Sequence, residues 1–397
     1  MHNPPLDTPA DEPIESFAVR FEGSEHEYRR IWSTNLILTV LTFGLYTPFA
    51  RRRRLRYFLG LTEVAGSPLE FTGPWRSMLK GFLVVAGLYL AYSIASHSGQ
   101  AGAVQALLAG IALLTPWAWG SRWRFRLAHT RWRGIRLRFT ATWAETYFAL
   151  WPLLPLAALL LFTPLLAQHF VESSQAGAMR AAPLVATFAG GLALLLLLAA
   201  RLDCNGTRLL VQRTQVGHLP CHWRPGAPRY TDFLRAWLQA AALFAVLQFA
   251  AFLVIFVGAG LAGLALTGRA APGTLGVIAA MASLPVAWAS WAAAAGLRRA
   301  RIFRLTWDHL AISSVARVRC DLEAGPYVRL CVRNAMLCAV TLGLWSPWAA
   351  VRQYRMRVES VTLHVKGGLD HITGDLERQQ EALGDAVAEL MGLELVG

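Results

Sequence analysis

Arginine is the residue type that this sequence places where it could bind a ligand. The chain has 38 lysines and arginines against 24 acids, and all of these bases except Lys80 and Lys366 are arginine. A guanidinium binds phosphate or carboxylate through two parallel hydrogen bonds. Because the arginines recur beside apolar runs, we predict that they bind anionic lipid headgroups or a phosphate-bearing ligand. The candidate residues are Arg51, Arg53, Arg56, Arg124, Arg131, Arg133, Arg301 and Arg355.

The same arginines have two other interpretations. Basic residues beside apolar segments fix the orientation of a membrane protein, and this topological role needs no ligand. Arginine interleaved with tryptophan also binds single-stranded nucleic acid. The apolar segments already account for the charge of this chain, so we predict no nucleic-acid partner.

Metal and cofactor chemistry has little support in the sequence. Cys204, His218, Cys221 and His222 are residue types that hold zinc, but no Cys-x-x-Cys pair is present. Cys221 directly precedes His222, and adjacent residues are poorly placed to ligate one ion, so we predict no metal site and no cofactor. The five cysteines are an odd number without a disulfide pattern, which favours reduced thiols.

Catalytic motifs do not occur in the sequence. There is no nucleophile elbow, no phosphate-binding loop and no His-Glu-x-x-His pair. His129, Glu145 and Asp308 lie at the edges of apolar runs, where such groups either transfer protons or satisfy local hydrogen bonds. We assign no catalytic residue, and whether the protein is an enzyme stays open.

A stretch that occurs twice would position several of the arginines. Residues 28–57 align without a gap with residues 327–356, and each copy joins an apolar run, a proline and a basic end. A regular repeat indicates one structural unit used twice. The shared residues to which we assign a structural role are Asn35, Gly44 and Pro48 in the first copy and Asn334, Gly343 and Pro347 in the second.

Six further apolar runs have the length and the lack of charge of membrane spans. They cover about residues 77–96, 101–119, 143–167, 183–200, 233–261 and 274–296. The uncharged part of each repeat copy is short and has basic residues on both flanks. We therefore predict an all-α polytopic bundle of six full spans plus two related short re-entrant or interfacial helices. The alternative, in which both copies span and give eight, stays open.

The connections between these runs alternate in charge. Residues 51–80, 120–142, 201–230 and 298–329 carry seven, seven, five and seven bases. The intervening loops near 97–100, 168–182 and 262–273 carry only Arg180 and Arg269. The positive-inside rule places the basic connections, and with six spans both termini, in the cytoplasm.

The basic connections also contain strand patterns. In residues 135–139 apolar side chains alternate with arginines, and Gly66, Gly134 and Gly217 are suited to turns. We predict small cytoplasmic β-hairpins that assemble into one sheet, because a lone hairpin is marginally stable. A short strand is also predicted for residues 17–21. Three regions follow from these patterns: an acidic, mostly disordered tail at 1–27, a membrane domain at 28–368, and an acidic amphipathic helical tail at 369–397.

Three motifs resemble a known family. They are NLILTVLTFGLYTPFARRRRLRYFLG, the EFTGPWRSMLKG that follows it, and the hairpin HTRWRGIRLRF. They resemble the YjgN-like family of bacterial inner-membrane proteins, and the resemblance covers about residues 17–368. It implies a multi-pass protein of the inner membrane with an uncharacterised function, and it supplies no catalytic residues. The third hairpin, NGTRLLVQRTQVGHLPCHW, departs from the family pattern.

These observations give one leading function and two alternatives. The leading hypothesis is a non-enzymatic inner-membrane protein that engages anionic lipid headgroups or a phosphate-bearing ligand at its arginine-rich cytoplasmic face. Its expected partners are membrane lipids and, as an open possibility, further copies of itself. The first alternative is a transporter or channel for a small or lipidic solute. The second is a membrane-embedded enzyme acting on lipid.

Overall fold

The computed structural model describes residues 14–159, 161, 181–265, 272–366 and 374. The helices, with our numbering, are α1 Glu25–Leu41, α2 Thr47–Gly60, α3 Trp75–His97, α4 Ala101–Ala128, α5 Trp143–Ala149, α6 Ala181–Gln212, α7 Tyr230–Ala265, α8 Pro272–Asp308, α9 Ala324–Val340 and α10 Ser346–Val358. A further helical stretch covers residues 153–159.

The strands are short and lie between the helices. They are β1 Ile14–Ala18, β2 Arg20–Phe21, β3 Thr62–Val64, β4 Ser67–Phe71, β5 Thr130–Trp132, β6 Ile135–Phe139, β7 Thr214–Val216, β8 Leu219–Trp223, β9 Leu310–Ile312, β10 Ala316–Cys320 and β11 Val361–Lys366. All the pairs are antiparallel and form one sheet in the order β1-β11-β10-β9-β8-β7-β6-β5-β4-β3-β2.

The N-terminal segment closes this sheet into a nearly complete barrel. The two ends of the strand order, β1 and β2, are separated in the chain by Val19 alone. β1 pairs with β11, and β2 pairs with β3, while the Val19 amide donates to the Val361 carbonyl at 3.0 Å. One extended stretch of eight residues therefore joins the last strand to the first hairpin.

The same hydrogen bond recurs five times around the barrel. In each case the amide that follows an even-numbered strand donates to the carbonyl that precedes the next odd-numbered strand along the barrel, at 2.8–2.9 Å. The five bonds are Glu22 to Leu61, Thr72 to His129, Thr140 to Arg213, Arg224 to His309, and Asp321 to Ser360. Glu22 belongs to the N-terminal segment, so this segment takes the place that a hairpin strand takes elsewhere.

The helices also form a closed circuit. Each helix packs against the next one in the chain from α1 to α10, and α10 packs against α1. The Arg352 side chain of α10 reinforces this closure, because its Nε and Nη2 donate to the two carboxylate oxygens of Glu25 at 2.7 and 2.9 Å. A two-pronged arginine–carboxylate pair is among the stronger polar contacts in proteins.

The sheet has one apolar and one charged face, because successive strand residues point to opposite sides. The apolar face carries a buried core that includes Val19, Val318, Leu363 and Val365, packed against Phe303 of α8. The charged face is traced by cross-strand partners, such as Glu70 with Arg131 and Arg131 with Arg136. The residues on it include Arg20, Glu63, Glu70, Arg131, Arg136, Arg138, Gln215, His222, Arg317, Arg319 and His364.

The predicted all-α bundle of six to eight spans is wrong. The chain contains an eleven-stranded sheet, and four helices of the described chain are long and apolar enough to cross a membrane. These four are Trp75–His97, Ala101–Ala128, Ala189–Gln212 and Tyr230–Ile255. The hairpins were expected to assemble into one small sheet, and the β-pairing joins eleven strands into one nearly closed sheet.

The third predicted span, residues 143–167, does not begin as a long helix. Thr142 caps α5 and forms a reciprocal capping box with Glu145, but α5 ends at Ala149. A turn follows, and Pro152 lies within it. The remaining residues of that run after 161 lie outside the described chain. The sixth, residues 274–296, lies inside α8 and is not among the candidate spans found in the described chain.

The two short re-entrant helices are each a pair of helices. In the first copy the chain turns between α1 and α2 at Phe43 and Gly44, with φ angles of 48° and 90°. In the second it turns between α9 and α10 at Leu342 and Gly343, with φ angles of 50° and 89°. The sequence-based model treated each copy as one element because its apolar run continues through the turn.

The two prolines begin helices in this arrangement. Pro48 and Pro347 lie in the first turns of α2 and α10, where a missing amide hydrogen costs little. Proline breaks or kinks a helix when it lies in the interior, so neither residue interrupts a helix at these positions. The local geometry of the two copies matches: the Tyr46 and Trp345 amides each donate to a threonine hydroxyl at 3.0 Å. That the two copies are an internal repeat stays a prediction.

Other sequence-based expectations are confirmed. The hairpins assemble into one sheet, and Gly66, Gly134 and Gly217 lie in their turns with positive φ. The predicted strand at 17–21 lies within residues 14–21, which are β1, Val19 and β2. Within the predicted acidic tail at 1–27, residues 1–13 lie outside the described chain. The same is true of the C-terminal tail at 369–397, apart from Gly374.

Candidate functional site

Several candidate arginines bond to the protein's own backbone. Arg124 donates to the Ala141 carbonyl, and Arg355 donates to the Gly23 carbonyl at 2.6 Å. Arg52, which the sequence did not single out, makes the same kind of bond to Gly73 at 2.9 Å. Ala141, Gly23 and Gly73 each lie two residues after an even-numbered strand. These arginines therefore fix helices to the barrel.

The glycines at these positions have a steric reason. A Cβ on Gly23 would lie 2.4 Å from the ring of Phe21, and one on Gly73 would lie 2.5 Å from the ring of Phe71. In both places a phenylalanine ring covers the glycine two residues later. The close approach of the ring leaves no room for a Cβ, which explains the spacing Phe-x-Gly at these two places.

Arginine also recurs at a fixed distance before the strands. An arginine lies six residues before the first residue of each odd-numbered strand from β3 to β11, at Arg56, Arg124, Arg208, Arg304 and Arg355. Sequence reasoning found three of these five. The missing signal was the strand boundary, because the offset becomes visible only when the strand starts are known.

Arg124 and Arg133 are held most firmly among the candidates. The Arg124 guanidinium carbon lies 3.5 Å from the centre of the Trp143 ring, a cation–π contact. Arg133 lies in the β5–β6 turn with φ of 48°, and it donates to the Ser67 hydroxyl at 2.8 Å and to the Ala65 carbonyl at 3.2 Å. Both side chains stabilise the barrel.

Arg51 belongs to a group of neighbouring cations at the start of α2. Partial burial, together with the guanidiniums of Arg122 and Arg54, lowers the pKa of Arg51. Repulsion between like charges and loss of water both disfavour the charged form, so this group favours an anion. Arg53 and Arg56, on the same helix, are exposed, and so is Arg301 on α8.

A second group of cations surrounds Tyr354 of α10. Burial raises the pKa of Tyr354, and the guanidiniums of Arg126 and Arg357 partly offset that rise. The Tyr354 hydroxyl lies 2.9 Å from the hydroxyl of Thr62, at the start of β3. Arg122, Arg126 and Arg357 were not among the sequence-derived candidates. Arg122 and Arg126 are four residues apart on α4, the spacing of one helix face, which is the signal that could have found them.

Arg131 lies on the charged face of the sheet. Its cross-strand partners are Glu70 on β4 and Arg136 on β6. The buried Nε of Arg131 makes no hydrogen bond to any described residue. Arg131 is therefore positioned by the sheet, whereas Arg51, Arg53 and Arg56 are positioned by α2.

Asn35 and Asn334, the candidate structural asparagines, are both buried. Asn334 is 1% exposed, and neither its Nδ2 nor its Oδ1 has a hydrogen-bond partner among the described residues. The same holds for Oδ1 of Asn35. Both side chains are buried on their helices, α1 and α9.

Two of the three polar groups considered for catalysis, Glu145 and His129, are held by local contacts. Glu145 accepts from the Thr142 amide at 2.9 Å and pairs with Arg213. The Thr142 amide is the main cause that lowers the pKa of Glu145, so the carboxylate is ionised at neutral pH. His129 Nδ1 contacts the Phe125 carbonyl at 2.7 Å. In the described chain no group of three or more His, Cys, Asp or Glu residues is placed to hold a metal.

Cysteine reactivity gives a direct test of the sheet. Cys221 is buried on β8, and burial raises the pKa of its thiol to about 11. At pH 9 only about 1% of such a thiol is ionised, and the thiolate is the reactive form. We expect iodoacetamide to label Cys221 slowly at pH 9 in the folded protein and quickly in denaturant, as measured by peptide mass spectrometry. Equal rates in both conditions would contradict burial of Cys221 in the sheet.

Tryptophans accompany the arginines at the helix ends. The Phe49 and Trp75 rings stack at 5.0 Å, and the Trp117 and Trp143 rings stack at 6.4 Å. Trp123 has the guanidinium of Arg122 at 5.8 Å from its ring. Tryptophan beside arginine at the end of an apolar helix is typical of the membrane–water interface.

The fold and charge distribution define a membrane-associated protein in which apolar helices lead into a basic closed sheet. The chain belongs to a family described as bacterial protein of unknown function (DUF898), whose model matches residues 16–390. This match confirms the resemblance to a bacterial family of unknown function. No curated protein and no solved structure matches the chain.

Proposed function

We propose that this protein is a multi-pass protein of the bacterial inner membrane that binds phosphate groups, in the first place those of anionic lipids, at its arginine-rich helix ends. The barrel and both termini lie on the cytoplasmic side in this proposal. The positive-inside rule supports the orientation, because the basic connections between helices form the barrel and its approaches.

One observation carries the proposal. Helices α2, α4, α6, α8 and α10 each lead directly into a strand of the same closed sheet. Their arginine-rich ends must therefore lie on one side of any membrane that the apolar helices cross. Basic loops that do not contact one another share a side of the membrane only through the statistical preference for positive charge in the cytoplasm. In this chain the β-pairing joins the basic connections into one sheet, which supports a common side.

Electrostatics favours the start of α2 as the contact region. The guanidiniums of Arg122 and Arg54 both lower the pKa of Arg51, as repulsion between neighbouring cations does. Each basic residue near an anionic membrane surface contributes about 1 kcal/mol. Trp75 and Phe49 lie beside these arginines and match the interfacial depth at which a lipid phosphate lies.

Charge-neutral substitution tests the site. We expect Arg51→Gln, Arg53→Gln and Arg122→Gln together to weaken binding of phosphatidylglycerol more than tenfold, because about 1 kcal/mol is lost per arginine. The measurement is native mass spectrometry of the purified protein titrated with this lipid. The matched control is Arg317→Gln with Arg319→Gln, which neutralises exposed arginines on the charged face of the sheet.

Two arms of this experiment distinguish the sources of phosphate. Titration with phosphatidylglycerol tests a lipid headgroup, and titration with inorganic phosphate or a nucleotide tests a soluble ligand. Lipid affinity that is the same in the triple variant and in the wild type would overturn the proposed site. Loss in both variants alike would show that only the total charge matters.

The closed helical circuit favours a channel or transporter as the second candidate. The contact between α10 and α1, with its Arg352–Glu25 pair, closes a ring of helices above a closed sheet. Such an arrangement has a central axis along which a solute could move. Flux of a small anion into proteoliposomes is the test, and a rate equal to that of protein-free vesicles would exclude this role.

A further inference from the structure

Two half-buried arginines have no anionic partner in the described part of the chain. Arg126 of α4 makes no hydrogen bond or ion pair with the described residues, and its guanidinium lies 5.7 Å from the ring centre of Trp123. Arg357 of α10 donates from Nε to the Gln353 carbonyl at 3.1 Å, and its two amino groups have no acceptor among the described residues. A guanidinium carries five N–H donors, so most donors of this pair are free to bind a ligand.

The two arginines occupy the same position in their helices. Arg126 lies four residues before β5, and Arg357 lies four residues before β11. Phe58 of α2 lies four residues before β3. Around the barrel β11, β3 and β5 follow one another with one strand between neighbours, so α10 and α4 lead into the barrel on either side of α2.

Tyr354 of α10 connects the two arginines. Its ring centre lies 4.7 Å from that of Phe58, and its hydroxyl lies 2.9 Å from the Thr62 hydroxyl. Burial raises the pKa of Tyr354, and the Thr62 hydroxyl and the guanidiniums of Arg126 and Arg357 lower it in part. Cations from two helices therefore act on one phenol, which places the two arginine side chains near each other.

The Tyr354 hydroxyl does not satisfy these guanidiniums. Thr62 donates its own proton to the Phe58 carbonyl at 2.6 Å, so Tyr354 is the donor in its bond with Thr62. Neither Arg126 nor Arg357 is hydrogen-bonded to the tyrosine oxygen in the described chain. The ring therefore separates the two cations without neutralising them.

The surroundings of Arg126 are positively charged. The guanidiniums of Arg122, one turn earlier on α4, and of Arg51 on α2 repel that of Arg126. No carboxylate of the described residues pairs with Arg126 or Arg357. Cations held together at half-buried positions are unfavourable, and an anion between them offsets the repulsion.

We propose that Arg126 and Arg357 together bind a small, water-soluble phosphate group between α4 and α10. Each guanidinium can donate two parallel hydrogen bonds to two oxygens of such a group. Chloride has one atom and cannot accept in this way, so the site prefers phosphate. The site is separate from the proposed lipid contact and does not depend on it.

Binding of phosphate at this site would join two parts of the barrel. It links the helix before β5 to the helix before β11, on the two sides of the N-terminal segment that closes the sheet. A ligand that binds only the folded state stabilises that state. Phosphate is therefore expected to stabilise the closed barrel.

Thermal unfolding of the full chain in detergent tests this effect. We expect about 20 mM sodium phosphate to raise the unfolding temperature more than sodium chloride at the same ionic strength. Isothermal titration calorimetry with inorganic phosphate gives the affinity. Arg126→Gln with Arg357→Gln should weaken that affinity tenfold or more and abolish the rise, because the charge-assisted hydrogen bonds are lost.

Unfolding without phosphate separates binding from a structural role. In phosphate-free buffer the double glutamine variant should unfold at the wild-type temperature or above it, because neighbouring cations have been removed. A lower temperature together with an unchanged response to phosphate would overturn the proposal. Arg126→Lys with Arg357→Lys keeps both charges, and it should still weaken phosphate binding because an ammonium cannot make the two-pronged contact. Wild-type affinity in this lysine variant would also overturn it.

The matched control is Arg317→Gln with Arg319→Gln, which removes two charges from the charged face of the sheet. It should bind phosphate as the wild type does. Equal loss of affinity in the control would show that only net charge matters and would exclude the site. Absence of phosphate binding by the wild type would exclude it as well.

Titration with phosphatidylglycerol distinguishes a soluble phosphate from a lipid headgroup. The double glutamine variant should keep the wild-type affinity for this lipid. If it lost lipid affinity as strongly as phosphate affinity, the two arginines would belong to the lipid contact and the proposal would be wrong. The triple variant at α2 and α4 tests the lipid contact by itself, so either proposal can fail without the other.

Discussion

Replacing Phe21 by alanine is expected to destabilise the whole fold by about 3–5 kcal/mol, the usual cost of truncating a buried phenylalanine. Phe21 is 4% exposed and belongs to the N-terminal segment. Its ring centre lies 5.8 Å from that of Phe58 on α2 and 5.0 Å from that of Tyr354 on α10. The side chain therefore joins the first helix pair to the last at the point where the barrel closes.

Thermal unfolding in detergent, followed by circular dichroism, measures this effect. The matched control is Phe43→Ala, because Phe43 is 98% exposed at the turn between α1 and α2. In detergent the control should unfold at nearly the wild-type temperature. If Phe21→Ala were as stable as the control, the N-terminal segment would not close the barrel.

Replacing Asp203 by alanine is expected to cost about 2–3 kcal/mol, below the full loss from breaking a wholly buried pair. Asp203 on α6 accepts from Arg298 Nη1 of α8 at 2.9 Å and from Trp237 Nε1 of α7 at 3.1 Å. The Arg298 and Asp203 side chains are 26% and 33% exposed. The Arg298 guanidinium also lies 4.4 Å from the Trp237 ring centre, so one carboxylate joins three helices.

The matched control is Asp321→Ala, which breaks the exposed pair with Arg319 and should cost less than about 1 kcal/mol. A second comparison isolates the unpaired charge. Asp203→Ala combined with Arg298→Leu should be more stable than Asp203→Ala alone, because no guanidinium is left without its partner. A double variant that is less stable than both single variants would show that the two residues act independently.

Most of the secondary structure could be predicted from local sequence patterns. The alternation in residues 135–139 and the glycines at 66, 134 and 217 predicted the hairpins, and the long uncharged runs predicted the four candidate spans. Both patterns depend on neighbours within a few residues, which sequence displays directly. The turn at Phe43 and Gly44 was missed, because an apolar run does not reveal that the chain reverses within it.

Only part of the candidate site could be predicted from the sequence. The sequence identified arginine as the relevant residue type, but it could not separate Arg124 and Arg355, which bond to backbone carbonyls, from exposed residues such as Arg53. That distinction depends on what lies opposite each side chain. Arg122 and Arg126 were missed for the same reason, since their neighbours Arg51 and Tyr354 are distant in sequence.

By itself, the sequence determined that this chain associates with a membrane, that its basic residues are arginines beside apolar helices, and that short strands lie between those helices. Tertiary structure alone decided that the strands join into one nearly closed barrel through residues 14–21, and hence that the arginine-rich helix ends meet at one sheet. The physical reason is that closure depends on hydrogen bonds between residues hundreds of positions apart, such as Phe17 with Leu363. No local pattern records which strands will meet.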